Sequence, residues 1–206
     1  MSTATTPRHA LGWPPGSIRA ILALMVVGLI CALMLIRSHD QYVTIPAYLW
    51  YLMFLTLGHY FAARGSARGS SDSWKEQPLW LPRGCIRLIL LSALSATVIY
   101  RYVTDAASFE EQMERSLKSF TSYPMLPIII QGCFFLGALL RMVIGRYPPA
   151  WFQDFEAWLS LIAVLLMAVA TMIHLVINPS LSEELSLPFW EGMLCGVIAF
   201  YFGERS

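Results

Sequence analysis

The residues best suited to chemistry in this chain are two histidines inside apolar tracts, His59 in "TLGHYF" and His174 in "TMIHLV". An imidazole within a bilayer invites a haem or quinone reading, because histidine is the usual axial ligand of haem. Depth separates the two. His59 follows Pro46 by 13 residues, about 20 Å in from the outer end of its helix, whereas His174 follows Phe155 by 19, about 28 Å from the inner end. Residues at opposite membrane faces cannot clasp one haem, so hydrogen bonding between helices is the expected role of each. No cofactor is expected.

Cys31, Cys85, Cys133 and Cys195 lie in or beside apolar stretches without the short paired spacing of a zinc or redox motif, so no metal is expected and they read as packing residues. No nucleophile motif, glycine-rich phosphate loop or histidine cluster is legible. Gln131, Arg141 and Glu191 are polar, but Arg141 is close enough to the inner helix end to snorkel and Glu191 lies near the outer interface. No buried ionisable cluster emerges, and a non-enzymatic protein is expected.

These residues must be positioned by membrane helices. The 206 residues are 57% hydrophobic and 13% charged, far more apolar than a soluble domain of about half apolar and a quarter charged residues. Six stretches approach the roughly 20 apolar residues that a bilayer span needs: about 18–36, 45–63, 86–103, 125–144, 155–177 and 187–202. The expected fold is an all-α integral membrane protein, one transmembrane domain over 1–206. Its helices are grouped as three parallel hairpins at about 11–64, 78–146 and 149–206. Residues 64–77, small, polar and basic, read as a cytoplasmic linker.

Between the third and fourth spans, "DAASFEEQMERSLKSF" places Phe109, Met113, Leu117 and Phe120 at helical spacing. Residues 105–120 are expected to form an amphipathic helix on the outer surface, with Ser108 and Glu111 as a capping box and Glu111–Arg115 and Glu114–Lys118 as i,i+4 pairs. A net charge of +1 gives no reason to expect nucleic acid. Only Arg37, Arg101, Arg115 and Lys118 fall on one side of the six spans, and the other ten of the 14 basic residues fall on the other. That bias is the one expected of a chain with both termini in the cytoplasm, and a bacterial inner membrane is the expected location.

A repeat underlies the hairpins. Pro14-x-Gly16-x-Ile18-Arg19-x-Ile21-Leu22 is matched by Pro82-x-Gly84-x-Ile86-Arg87-x-Ile89-Leu90, and Pro46, Pro127 and Pro188 mark the even-numbered helix starts. Where two units carry arginine, the third carries Asp154 and Glu156. Pseudo-threefold packing is expected to bring these starts onto one ring, where the acids pair with Arg19 and Arg87. The simpler role of the arginines is attraction to lipid phosphate. Three two-helix units resemble mitochondrial carriers in outline, but the carriers' Pro-x-acid-x-x-base signature does not occur. Asn178-Pro179-Ser180 reads as a helix stop.

Gly192-x-x-x-Gly196 gives the sixth span a contact face for another helix. The expected partners are the lipid bilayer and other membrane subunits, or further copies of the chain. The functional expectation is an assembly or scaffold subunit of a larger membrane complex. A channel or transporter for a small solute or ion is the alternative, and a haem- or quinone-binding redox subunit comes third.

Overall fold

A computed structural model describes residues 16–38, 41–62, 79, 81, 84–122, 124–144, 149–181 and 187–204. It is helical throughout except for a two-residue antiparallel ladder, Arg37–Ser38 with Gln41–Tyr42, that turns the chain between the first two helices. The helices are α1 (Ser17–Leu35), α2 (Ala47–Ala62), α3 (Cys85–Thr104), α4 (Ala106–Ser122), α5 (Leu126–Ile144), α6 (Ala150–Met172) and α7 (Pro188–Glu204). Helix α6 continues through a π turn at Ile173–Ile177 into a 3-10 turn at Asn178–Ser180. The linker at 64–77 and the prolines Pro14 and Pro82 lie outside the described residues.

Among the described residues, four helices are long and apolar enough to cross a membrane: Ser17–Leu35, Cys85–Thr104, Leu126–Ile144 and Asp154–Ser180. Helices α2 and α7, with 16 and 17 residues, extend about 24–26 Å at 1.5 Å per residue, short of a hydrocarbon core about 30 Å thick. Both bury most of one side in the bundle. On α7, Leu194, Cys195, Ile198, Ala199 and Phe202 are fully buried, as are Leu49 and Leu52 of α2. With α1, the most buried of the four long helices, they form the centre of one continuous core. Helices α3, α5 and α6 surround it and turn Leu88, Ile99, Ile128, Leu139, Trp158 and Leu165 outward.

The repeated motif has a local structural cause. Gly16 and Gly84 both adopt left-handed backbone, with φ of 84° and 91°, immediately before α1 and α3. Both carbonyls then accept the first helical bond, from Ala20 and Leu88, at 3.0 Å each. Only glycine takes this conformation without a Cβ penalty.

Beyond those starts the elements depart from the hairpin scheme. Helix α1 packs with α2, but α3 packs on α1 and α4 while α5 lies against α7. The second expected hairpin, α3 with α5, is therefore not a packed pair. Helix α4 intervenes, and the close approach of α5 to α7 is made by glycine. A Cβ at Gly203 would collide with the Phe134 carbonyl, and one at Gly137 with the Phe200 carbonyl, so backbone meets backbone there. The expected glycines belong to the same seam in milder form: a Cβ at Gly196 would lie 3.3 Å from Cys133 Sγ and one at Gly192 3.8 Å from Ile129 Cδ1. Gly192 and Gly196 thus serve a contact within the chain.

Helix α4 also differs in detail. It starts at Ala106, so Asp105, not Ser108, is its N-cap: Ser108 N donates to Asp105 Oδ1 at 3.2 Å, and its hydroxyl bonds Asp105 Oδ2. Its surface pairs form as spaced, Arg115–Glu111 at 3.7 Å and Lys118–Glu114 at 2.9 Å. The hydrogen-bonded Lys118 ammonium holds the Glu114 carboxyl below the usual carboxylate value.

The docked face of α4 is not the predicted apolar stripe. Phe109 and Met113 are half-buried, but Leu117 is exposed, and the Phe120 side chain lies outside the described set. The fully buried positions are Gln112 and Ser116. Gln112 Nε2 donates to the Leu33 carbonyl at 3.3 Å and the Val43 carbonyl at 2.7 Å, and Ile45 N donates to Ser116 Oγ at 3.2 Å. Leu33 lies in the last turn of α1, where carbonyls have no helical partner, so α4 caps the α1–α2 corner.

Candidate functional site

One stripe of α6 carries four buried polar groups, Glu156, Ser160, His174 and Asn178. Phe152, Glu156, Ser160, Ala163, Met167, Ala170, His174 and Asn178 are all buried and follow one another at three- and four-residue steps. The stripe is acidic at the α6 start, apolar in the middle and polar at the far end. It therefore builds two separate sites.

At the far end, Tyr48 in the first turn of α2 bonds its hydroxyl to His174 Nε2 at 2.8 Å, deep in the core. The other ring nitrogen, Nδ1, lies 3.3 Å from Asn178 Nδ2. His174 and Asn178 lie one turn apart on the same face, across a π turn in which Asn178 N donates five residues back to the Ile173 carbonyl. Single π turns inside helices are often found at functional sites. Cys195 of α7 joins this group, and Glu191, one turn earlier on the same helix, is buried as well. The Cys195 thiol faces the Tyr48 carbonyl at 4.0 Å. The acid also stands in the first turn of α7, where its helix dipole favours it.

The opposite end holds a group of paired charges. Arg141 near the end of α5 lies 3.7 Å from Glu156 of α6 and 4.0 Å from Glu204, the last residue of α7. Both carboxylate side chains are nearly inaccessible, while the arginine stays about one-third exposed. Beside this group, Arg19 Nη1 meets His59 Nε2 at 3.0 Å, and the His59 ring stands edge-on to Phe202.

The expected arginine–acid ring is thus arranged differently. Glu156 meets Arg141, Arg19 meets His59, Asp154 is exposed, and Arg87 is half-buried on α3. Because Pro149 caps α6 and the helix begins at Ala150, Asp154 and Glu156 stand beyond its first turn. His59 and His174 occupy opposite ends of the bundle, each engaged by a neighbouring side chain. Among the described residues, no group of three His, Cys, Asp or Glu is placed to hold a metal.

No protein-family model, curated protein or solved structure matches this chain.

The expectation of no buried ionisable cluster is overturned. Tyr48 and Glu204 carry no signal in the sequence that marks them for this role. The one available signal was periodicity: Glu156, Ser160, His174 and Asn178 lie on a single helical face of α6. Gln131 stands exposed on the outward side of α5, beside the exposed Gly132.

Proposed function

We propose that the protein is a non-enzymatic multi-pass subunit that assembles with other membrane helices into a larger complex. The observation that carries this reading is the placement of Gln131. Helix α5 turns Leu126, Ile130 and Gly137 inward and Ile128, Gln131, Gly132, Phe135 and Leu139 outward. Gln131 is five residues inside the helix, about 7 Å along its axis and within the hydrocarbon region. A primary amide facing lipid tails without a partner costs roughly 2–7 kcal/mol. Side-chain amides in membranes bond across helices, and the glycine beside this one lets another helix come close.

In this reading six helices enter a bacterial inner membrane, with both termini cytoplasmic. The short α2 and α7 pack against the longer helices over most of their length, while Phe54 of α2 and Phe189 of α7 stay exposed. The test is isolation of the tagged full chain from its native membrane in mild detergent. A stoichiometric membrane partner, lost on Gln131→Leu, is the expected result. A chain that stays single and alone refutes the reading.

A channel or transporter is the second reading, and the buried Tyr48–His174–Asn178 group favours it. Solute flux in liposomes, abolished by His174→Leu, is its signature. A haem or quinone subunit has less support, because His59 and His174 would have to release Arg19 and Tyr48.

A further inference from the structure

The outward face of α5 carries one inference that rests on the assembly reading and names the partner. Ile128, Gly132, Phe135, Leu139 and Met142 follow one another at steps of four, three, four and three, and Gln131 adjoins Ile128 and Phe135 on the same side. This face is broad, and α7 is the one helix against which α5 packs extensively. At Gly132 nothing lies within 4 Å of where a Cβ would stand, so the surface is open above it.

We propose that a second copy of this chain covers that face, with the two α5 helices packed around Gln131 and Gly132. Every copy enters the membrane in the same direction, so a symmetric pair is related by a two-fold axis along the membrane normal. About such an axis each α5 residue meets its own counterpart at the same depth. Gln131 therefore meets Gln131. A primary amide carries two donors and a carbonyl acceptor, so it is its own complement, which a carboxylate or an ammonium is not. The neighbouring glycine admits the close helix approach that amide-to-amide bonding needs. Phe135, Ile128 and Leu139 then interlock around the pair.

The test uses the full chain in its own membrane, expressed as two differently tagged copies, with a photo-activated benzoylphenylalanine replacing Phe135. Expected are a cross-linked adduct carrying both tags and co-isolation of the two copies in mild detergent. Gln131→Leu should lower co-isolation roughly five-fold, and Gln131→Asn should retain part of it. The same photo-label at Leu165, exposed on α6, should give no doubly tagged adduct. An adduct from position 135 to a different protein, with no mixing of tags, overturns the self-association and leaves the assembly reading standing. Labelling of lipid alone, with single copies in detergent, overturns both.

Discussion

Tyr48 and His174 stand 126 residues apart and form a single polar contact in the core. Neither ring could be buried there cheaply alone, since an unsatisfied polar group in an apolar interior costs about 1–3 kcal/mol. In membrane bundles the net worth of such a bond is smaller, because the unfolded chain in lipid also finds partners. A double-mutant cycle of Tyr48→Phe and His174→Leu, read from unfolding in one detergent, should therefore give a coupling of about 1 kcal/mol. Strict additivity would show that the bond contributes nothing. His174 was visible in the sequence as a polar residue in an apolar tract. Its partner was not, because tyrosine at a helix start is equally at home in an interfacial aromatic belt.

At the level of elements, glycine spacing decides which helices become neighbours. The α5–α7 seam predicts a graded series of alanine substitutions. Gly203→Ala and Gly137→Ala drive a methyl into backbone atoms, which cannot turn aside as a side chain can. Each should destabilise by about 3 kcal/mol or more. Gly192→Ala enters ordinary contact with Ile129 and gains up to about 1 kcal/mol of helix propensity, so it should be neutral or stabilising. Thermal melts of the three variants check the order, and equal losses would mean that α5 and α7 do not approach through these glycines. Helix α4 gives a second contrast. Gln112→Leu removes the donor that serves the Leu33 and Val43 carbonyls and should raise hydrogen exchange at the α1–α2 corner and across α4. Leu117→Ser, at an exposed position, should leave exchange at the corner unchanged. Equal effects would place the docking energy in the apolar stripe that the spacing suggested.

For the whole molecule, the distribution of basic residues makes the topology testable. A reporter active only outside the cytoplasm should function when fused after Lys118 and fail after Arg68, and the opposite pattern would invert every side assignment. Within the chain itself, the sequence by itself determined the existence, order and approximate bounds of the helices. Apolar runs, proline at helix starts and the left-handed Gly16 and Gly84 act within a few residues, so their consequences can be read locally. Tertiary structure decided which helices are central, that α5 pairs with α7 and not α3, and that Arg141 is the charge facing Glu156. It also decided that α4 docks through Gln112 and Ser116. The physical reason lies in the solvent. Lipid tails are as apolar as leucine, so hydropathy does not distinguish a helix face that meets lipid from one that meets protein. That distinction rests on where small and polar side chains find a partner, and the partner comes from a distant part of the chain.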